Sequence, residues 1–263
     1  MDEVCGPDER ARLAGVGVSA PGPLDTETGT VLDIPTLPGW AQFPLHATLE
    51  NIFGLPVALE NDGIAAAFGE WRHGAGRGCR HLVYVTVSTG IGGGVVVDGR
   101  LLRGRRGMAG HVGHFRIDPQ GPVCSCGAVG CFEAVASGTA LDRAARHAMP
   151  SSDDCPVNAR TLVAAARQGD PVALGVLREE GQRLGSGFAG LIHLFSPERL
   201  IMGGGVSLAF DLLEPDIHAV IRRDAMGPFR DVPVVCAGLG ENSGLVGAAA
   251  LVLEMTTATS SSD

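Results

Sequence analysis

The chain reads as an α/β protein. Short runs rich in Val, Ile and small residues, at 14–19, 57–59, 81–100, 199–202 and 232–237, alternate with segments whose apolar residues recur at helical spacing. No segment repeats another and no long low-complexity linker divides the chain, so its 263 residues suffice for one large or two small domains with a sizeable core. Composition narrows the function classes. A net charge of −9 with no basic run argues against nucleic acid or an anionic membrane as the main partner. No apolar stretch approaches the ~20 residues of a membrane helix, and with no secretory leader the expected location is the cytoplasm. All 20 basic residues are arginine. Without lysine, a G-x-x-x-x-G-K-[ST] loop and a Schiff base are excluded, so phosphate must be held by backbone N–H groups, arginine or a metal ion.

Residues 1–13 are polar and read as a frayed helix remnant or a disordered lead. Ala14 to Ser19 is a strand that ends in the rigid loop A-P-G-P. Pro44 to Phe53 is a helix with Leu45, Leu49 and Phe53 on one face and Gly54 in the C-cap position. A short buried strand at 57–59 then delivers Glu60-Asn61-Asp62 to the start of a helix over 63–71. A carboxylate there feels the positive end of the helix dipole and should stay ionised at neutral pH, which poises Asp62 as a base. On these residues alone, an ordinary N-cap remains the favoured role for Asp62.

Beyond a Gly/Arg-rich hinge at 73–80, two β-rich runs flank Ser88-Thr89-Gly90-Ile91-Gly92 and the glycines that follow. That is a glycine-rich hairpin, and also a place where backbone N–H groups and two hydroxyls can converge on an anion. The stretch from His111 to Glu133 is denser in chemistry. His114, Cys124, Cys126 and Cys131 place one imidazole and three thiols within eighteen residues, among turn-forming glycines, and that donor set fills a closed tetrahedral zinc site. A disulfide is the second reading, disfavoured by an odd total of seven cysteines and by the isolation of Cys5, Cys79, Cys155 and Cys236. Glu133, two residues past the last thiol, would be fixed rigidly by such a knot.

Helices are expected at about 137–148, 159–168 and 171–194, with a polar loop at Ser151-Ser152-Asp153-Asp154. A strand at 199–202 precedes Gly203-Gly204-Gly205, which opens another helical run. A final strand at 232–237 and a helix at 243–254 lead into a disordered T-T-A-T-S-S-S-D tail.

The stretch from His111 resembles the signature of the ROK family, bacterial sugar kinases and sugar-responsive repressors: E-x-G-H, nine residues, then C-x-C-G-x-x-G-C-x-E. Here His111 stands where most members carry Glu, and the resulting A-G-H-V-G-H is similar to the N-acetylmannosamine kinases of bacteria rather than to the glucokinases. E-N-D-x-x-A-A-A-x-G-E, beginning at Glu60, matches the motif that carries the family's catalytic aspartate. The resemblance runs from about Ala14 to the last helix. It implies an actin-like, ribonuclease-H-type two-lobed sugar kinase fold with a truncated N-terminal lobe. Residues 1–73 and 244–257 would form that partial lobe, 74–243 the C-terminal lobe, and 258–263 a disordered tail.

The resemblance also implies roles. Asp62 would be the catalytic base, with Asn61, His111, His114, Glu133 and the loop at Gly22 contacting the sugar. Ser88, Thr89, Gly90 and Gly92 would form a phosphate loop, and Gly203, Gly204 and Gly205 would lie against the adenosine of ATP. Magnesium would accompany ATP, and zinc would be structural. The implied reaction is 6-phosphorylation of an N-acylhexosamine, first N-acetylmannosamine, with a glucokinase or a non-catalytic sugar-binding relative as alternatives, in a homo-oligomer such as a dimer. Two features depart from the pattern. Thr36 occupies the place of Asn in the family's N-L-P-G-W loop, and the first phosphate loop, D-x-G-G-T, does not occur in these 263 residues. The three strands that precede Ala14 in the family are also missing, so the expectation is a misplaced start, a fragment or a decayed copy, with 15–19 as a bare edge strand.

Overall fold

The computed structural model describes residues 6–34, 38–150 and 156–260. The sequence expectations at Thr36, at the 151–154 loop and for residues 1–5 fall outside these ranges. A helical turn, α1 (Pro7–Arg10), leads into β1 (Val16–Ala20), a small hairpin of β2 (Leu24–Asp25) and β3 (Thr30–Val31), and helix α2 (Leu45–Phe53). Gly54 ends α2 at φ 62°, the left-handed conformation a C-cap glycine adopts without a Cβ penalty. The chain then enters β4 (Val57–Asn61), which runs parallel to β1 and is its one partner among the described residues.

Helix α3 (Asp62–His73) follows directly and lies between two layers. On one side is the β1–β4 pair; on the other is a five-stranded sheet of β5 (Leu82–Val87), β6 (Ile91–Val97), β7 (Arg100–Leu101), β8 (Arg199–Gly203) and β9 (Val234–Cys236). Its order is β7-β6-β5-β8-β9, with β5, β8 and β9 parallel and β6 antiparallel to β5. Glycines allow α3 to approach this closely: a Cβ on Gly63 would fall 2.6 Å from the Gly93 backbone. Successive β5 residues divide between the faces. Leu82 and Tyr84 pack with Ala66 and Ala67 of α3, whereas Val83, Val85 and Val87 join the main core on the opposite face.

That opposite face is covered by α4 (Phe132–Ala136), α5 (Gly138–Ala148), α6 (Ala159–Arg167), α7 (Pro171–Phe195) and α8 (Phe210–Asp224). Phe132, Phe188, Leu184, Leu191 and Ile217 are buried there, with Phe132 and Phe188 meeting edge to face. The last helix, α9 (Ser243–Ser260), returns to pack on α3 and β1. Small residues set the contact, since a Cβ on Gly247 would collide with the Ala65 carbonyl.

Three boundaries differ from expectation. α9 continues through Ser260, so 258–260 are helical rather than part of a disordered tail. The Thr256 and Thr257 hydroxyls donate back to the Val252 and Leu253 carbonyls, which lets threonine sit in a helix without competing for its N–H groups. The glycines at 203–205 open a 3₁₀ turn over Gly205–Ala209 before α8, and the last strand keeps three residues of the six expected, following Pro233. Among the described residues no helix is long and apolar enough to cross a membrane.

Candidate active site

The junction of β4 and α3 fixes the site. Asn61, not Asp62, is the N-cap: its side-chain oxygen accepts from the Gly63 and Ile64 N–H groups at 3.0 and 3.4 Å. This corrects the capping role that residue type alone favoured for Asp62. Asp62 becomes the first helical residue, accepting from Gly63 N–H at 2.8 Å, with its outer face open to the cleft. Protein packed around its base removes enough water to raise its pKa above the ordinary aspartate value, against the pull of the Gly63 N–H and the nearby His111. The helix dipole alone predicts the opposite direction, so desolvation is the stronger influence here.

Gly22, Asn61 and His111 meet beside Asp62. A Cβ on Gly22 would fall 2.8 Å from Asn61 Nδ2 and 3.2 Å from His111 Cε1, so the loop after β1 approaches only because residue 22 has no side chain. With its oxygen committed to the cap, Asn61 presents its amide NH₂ toward the Asp62 carboxylate and the space beside it. Burial and the neighbouring His114 lower the His111 pKa, with Asp62 opposing, which favours the neutral ring. Two arginines from the loop before His111 latch this region. Arg103 Nε lies 2.9 Å from buried Glu60, whose other oxygen accepts the Asn61 N–H, and Arg106 pairs with buried Asp25.

The four expected metal ligands come together. One donor atom from each of His114, Cys124, Cys126 and Cys131 lies within 4.8 Å of all the others. His114 Nδ1 is 3.6 Å from Cys124 Sγ, and the Cys126 and Cys131 sulfurs are 3.7 Å apart. Zinc–sulfur bonds of about 2.3 Å at tetrahedral angles place two thiolates about 3.8 Å apart, so the donor set fits zinc by type and spacing. Burial and the adjacent thiols push Cys131 up to about 12, the repulsion a central cation would relieve.

Glu133 connects this knot to the glycine loop. Its carboxylate accepts from the Ile91 N–H at 3.0 Å and the Ser125 hydroxyl at 3.1 Å, and lies so close to Gly90 that a Cβ there would collide with it. Ser88, Thr89, Gly90 and Gly92 form the β5–β6 turn and its start, with Ser88 and Thr89 exposed. The Gly138 N–H and the Thr139 hydroxyl at the start of α5 bond the Ser88 and Thr89 carbonyls at 2.7 Å each.

On the other side of Asp62 is a cavity of about 180 Å³ lined by Ser19, Asp62, Tyr84, Thr86, Gly204, Glu241 and Ser243, among others. Of the triple glycine, Gly204 lines this cavity and Gly205 is exposed, while Gly203 packs against the Tyr84 ring. Ser19, Tyr84, Thr86, Glu241 and Ser243 were not foreseen. Gly238 to Gly240, ahead of the last helix, was the one available signal for the loop that carries Glu241.

Residues 6–255 match the profile of the ROK family. A glucokinase of Streptomyces coelicolor is 38% identical over 278 residues, covering 97% of this chain and 86% of its own. An N-acetylmannosamine kinase of Citrobacter koseri is 37% identical over 243 residues, covering 92% and 79%. The crystal structure of a ROK family glucokinase from Streptomyces griseus in complex with glucose and AMPPNP superposes with a TM-score of 0.83 at 39% identity, over 92% of this chain and 82% of that one.

Proposed function

The chain belongs to the ROK family and has its α/β, actin-like sugar kinase fold, and we propose that it transfers the γ-phosphoryl group of ATP to the 6-hydroxyl of an N-acylhexosamine. N-acetylmannosamine is the first candidate, because His111 stands in the A-G-H-V-G-H pattern. The observation that carries the reading is the position of Asp62. Freed from capping by Asn61, it lies between the cluster of Gly22, Asn61 and His111 and the cavity bounded by Gly204, Glu241 and Ser243.

In this reading Asp62 accepts the proton of the 6-hydroxyl as its oxygen bonds to the γ-phosphorus and the bond to the β–γ bridging oxygen breaks. A raised pKa brings the Asp62 base closer in strength to the proton it takes at neutral pH. The Asn61 amide, His111, His114 and Glu133 orient the sugar hydroxyls. Ser88, Thr89, Gly90, Gly92 and Gly204, with Gly203 and Gly205 flanking it, hold the nucleotide, and magnesium compensates the phosphate charge. Zinc held by His114, Cys124, Cys126 and Cys131 keeps His114 and Glu133 in place and takes no part in the chemistry. Residues 1–73 with 244–257, and 74–243, form the two lobes that close on these ligands, and a homodimer is the expected assembly.

A glucokinase is the second reading, supported by the equal likeness to glucokinases, 38% against 37%. The test is ADP release by this chain with ATP and magnesium, comparing N-acetylmannosamine, N-acetylglucosamine, glucose and no sugar. Sugar-dependent turnover that Asp62→Asn abolishes is expected, and the preferred sugar chooses between the readings. Sugar binding without ADP release would instead mark a non-catalytic relative.

A further inference from the structure

Glu70, near the end of α3, has a side chain with no role in the chemistry described above. It is completely buried, yet four donors converge on it. Oε2 accepts from the Ala75 N–H at 2.8 Å and the Gly238 N–H at 2.9 Å. Oε1 accepts from the Leu239 N–H at 2.8 Å and the Ser243 hydroxyl at 2.7 Å. The donors come from three places in the chain: the turn that leaves α3 for the five-stranded sheet, the loop after β9, and the first residue of α9 on its way back to α3.

The surroundings are built to admit this carboxylate. A Cβ on Gly74 would overlap Glu70 Oε2, one on Gly238 would fall 2.9 Å from Ala75 N, and one on Gly69 would fall 2.4 Å from the Ser243 carbonyl. Three glycines therefore bring the three segments within reach of one side chain. The network also reaches the cavity. Ser243, which donates to Glu70, lines that cavity together with Tyr84, Thr86, Asp62 and Glu241. Asp62 opens the same helix two turns before Glu70.

We propose that Glu70 is the hinge pin of the cleft: a positioning residue that ties together both crossings of the chain between the lobes, at 73–75 and at 238–243. It thereby holds the 238–244 loop across the cavity from Asp62. The backbone hydrogen bonds that an open cleft would otherwise expose are closed on one buried acceptor, so the lobes pivot about a fixed point while Asp62 and Glu241 keep their separation. The catalytic consequence rests on the kinase reading, whereas the pin itself rests on the geometry of Glu70.

Glu70→Gln keeps the shape but turns an amide NH₂ toward N–H donors, and Ser243→Ala removes one arm. Hydrogen–deuterium exchange and Mg·ATP binding are measured on both variants and the parent chain. For Glu70→Gln the expectation is about ten-fold or faster exchange at Ala75, Gly238 and Leu239, with β5 and β6 unchanged. Mg·ATP affinity should fall by a similar factor. If Glu70→Gln fails to fold, Ser243→Ala decides: faster exchange over 240–244 with weaker Mg·ATP binding is expected. Parental exchange rates at these amides in a folded variant, faster exchange throughout both sheets, or loosened amides with unchanged Mg·ATP affinity would overturn the proposal. A parent chain that binds no nucleotide counts against the kinase reading, and the exchange rates then judge the pin alone.

Discussion

Replacing Glu180 with glutamine should stabilise the protein at pH 7 and leave it nearly unchanged at pH 5. Glu180 sits in the middle of α7, fully buried, and neither carboxylate oxygen meets a hydrogen-bond donor among the described residues. The Arg183 guanidinium comes no nearer than 4.0 Å, and Arg143 of α5 acts at longer range. Burial outweighs both and pushes the Glu180 pKa up to about 8 from 4.5. The sign follows from linkage. With the folded pKa above the unfolded one, the stability from holding a neutral carboxyl is fully present below pH 4.5 and is lost as pH rises to about 8. Each pH unit in that window costs about 1.4 kcal/mol. At pH 7 the loss is therefore about 3 kcal/mol, and above pH 8 it levels at about 5 kcal/mol. Glutamine resembles the neutral acid at every pH, so the variant escapes this loss. Urea unfolding of both proteins at pH 5, 7 and 8.5 measures it, with the m-value expected to stay constant. A stability difference that does not widen with pH would refute the reasoning and show that solvent or an arginine reaches Glu180.

Three further outcomes test the site. Protein purified without chelator should hold about one zinc per chain, and Cys126→Ser should lose it together with several degrees of melting temperature, since metal binding is coupled to folding. Metal content by mass spectrometry and a thermal melt check this. His111→Glu should shift the ratio of N-acetylmannosamine to glucose turnover toward glucose, because a carboxylate replaces a neutral imidazole beside Asn61; an unchanged ratio would remove His111 from specificity. The acid limb of kcat/KM should lie above pH 3.8, the ordinary aspartate value, because the base form of Asp62 is lost as pH falls through its raised pKa. Solvent-viscosity controls separate that limb from product release.

Much of the site was legible because its chemistry is compressed into short segments. The spacing of His114, Cys124, Cys126 and Cys131 needs only a turn-rich loop to bring four donors together, and the structure supplies it, with all four donor atoms within 4.8 Å. The order of Asn61 and Asp62 at a strand–helix junction was also readable, but which one caps the helix was not. Residue type favours both at that position, and the choice depends on where β4 releases the chain. Glu60, Glu70 and Asp25 could not be read as anchors. Their partners Arg103, Gly238 and Arg106 lie 43, 168 and 81 positions away, beyond any local pattern.

The sequence by itself determined the α/β alternation, the grouping of one imidazole and three thiols, and the glycine loops, because each rests on residues close together in the chain or along one element. Tertiary structure alone decided the direction of the Asp62 pKa, the pairing of Asn61 with Gly22 and His111, and the cavity that Ser19, Tyr84 and Ser243 share. Those depend on desolvation and on contacts between segments remote in the chain, and both exist only after β1, β4, α3, α9 and the five-stranded sheet have packed around one another.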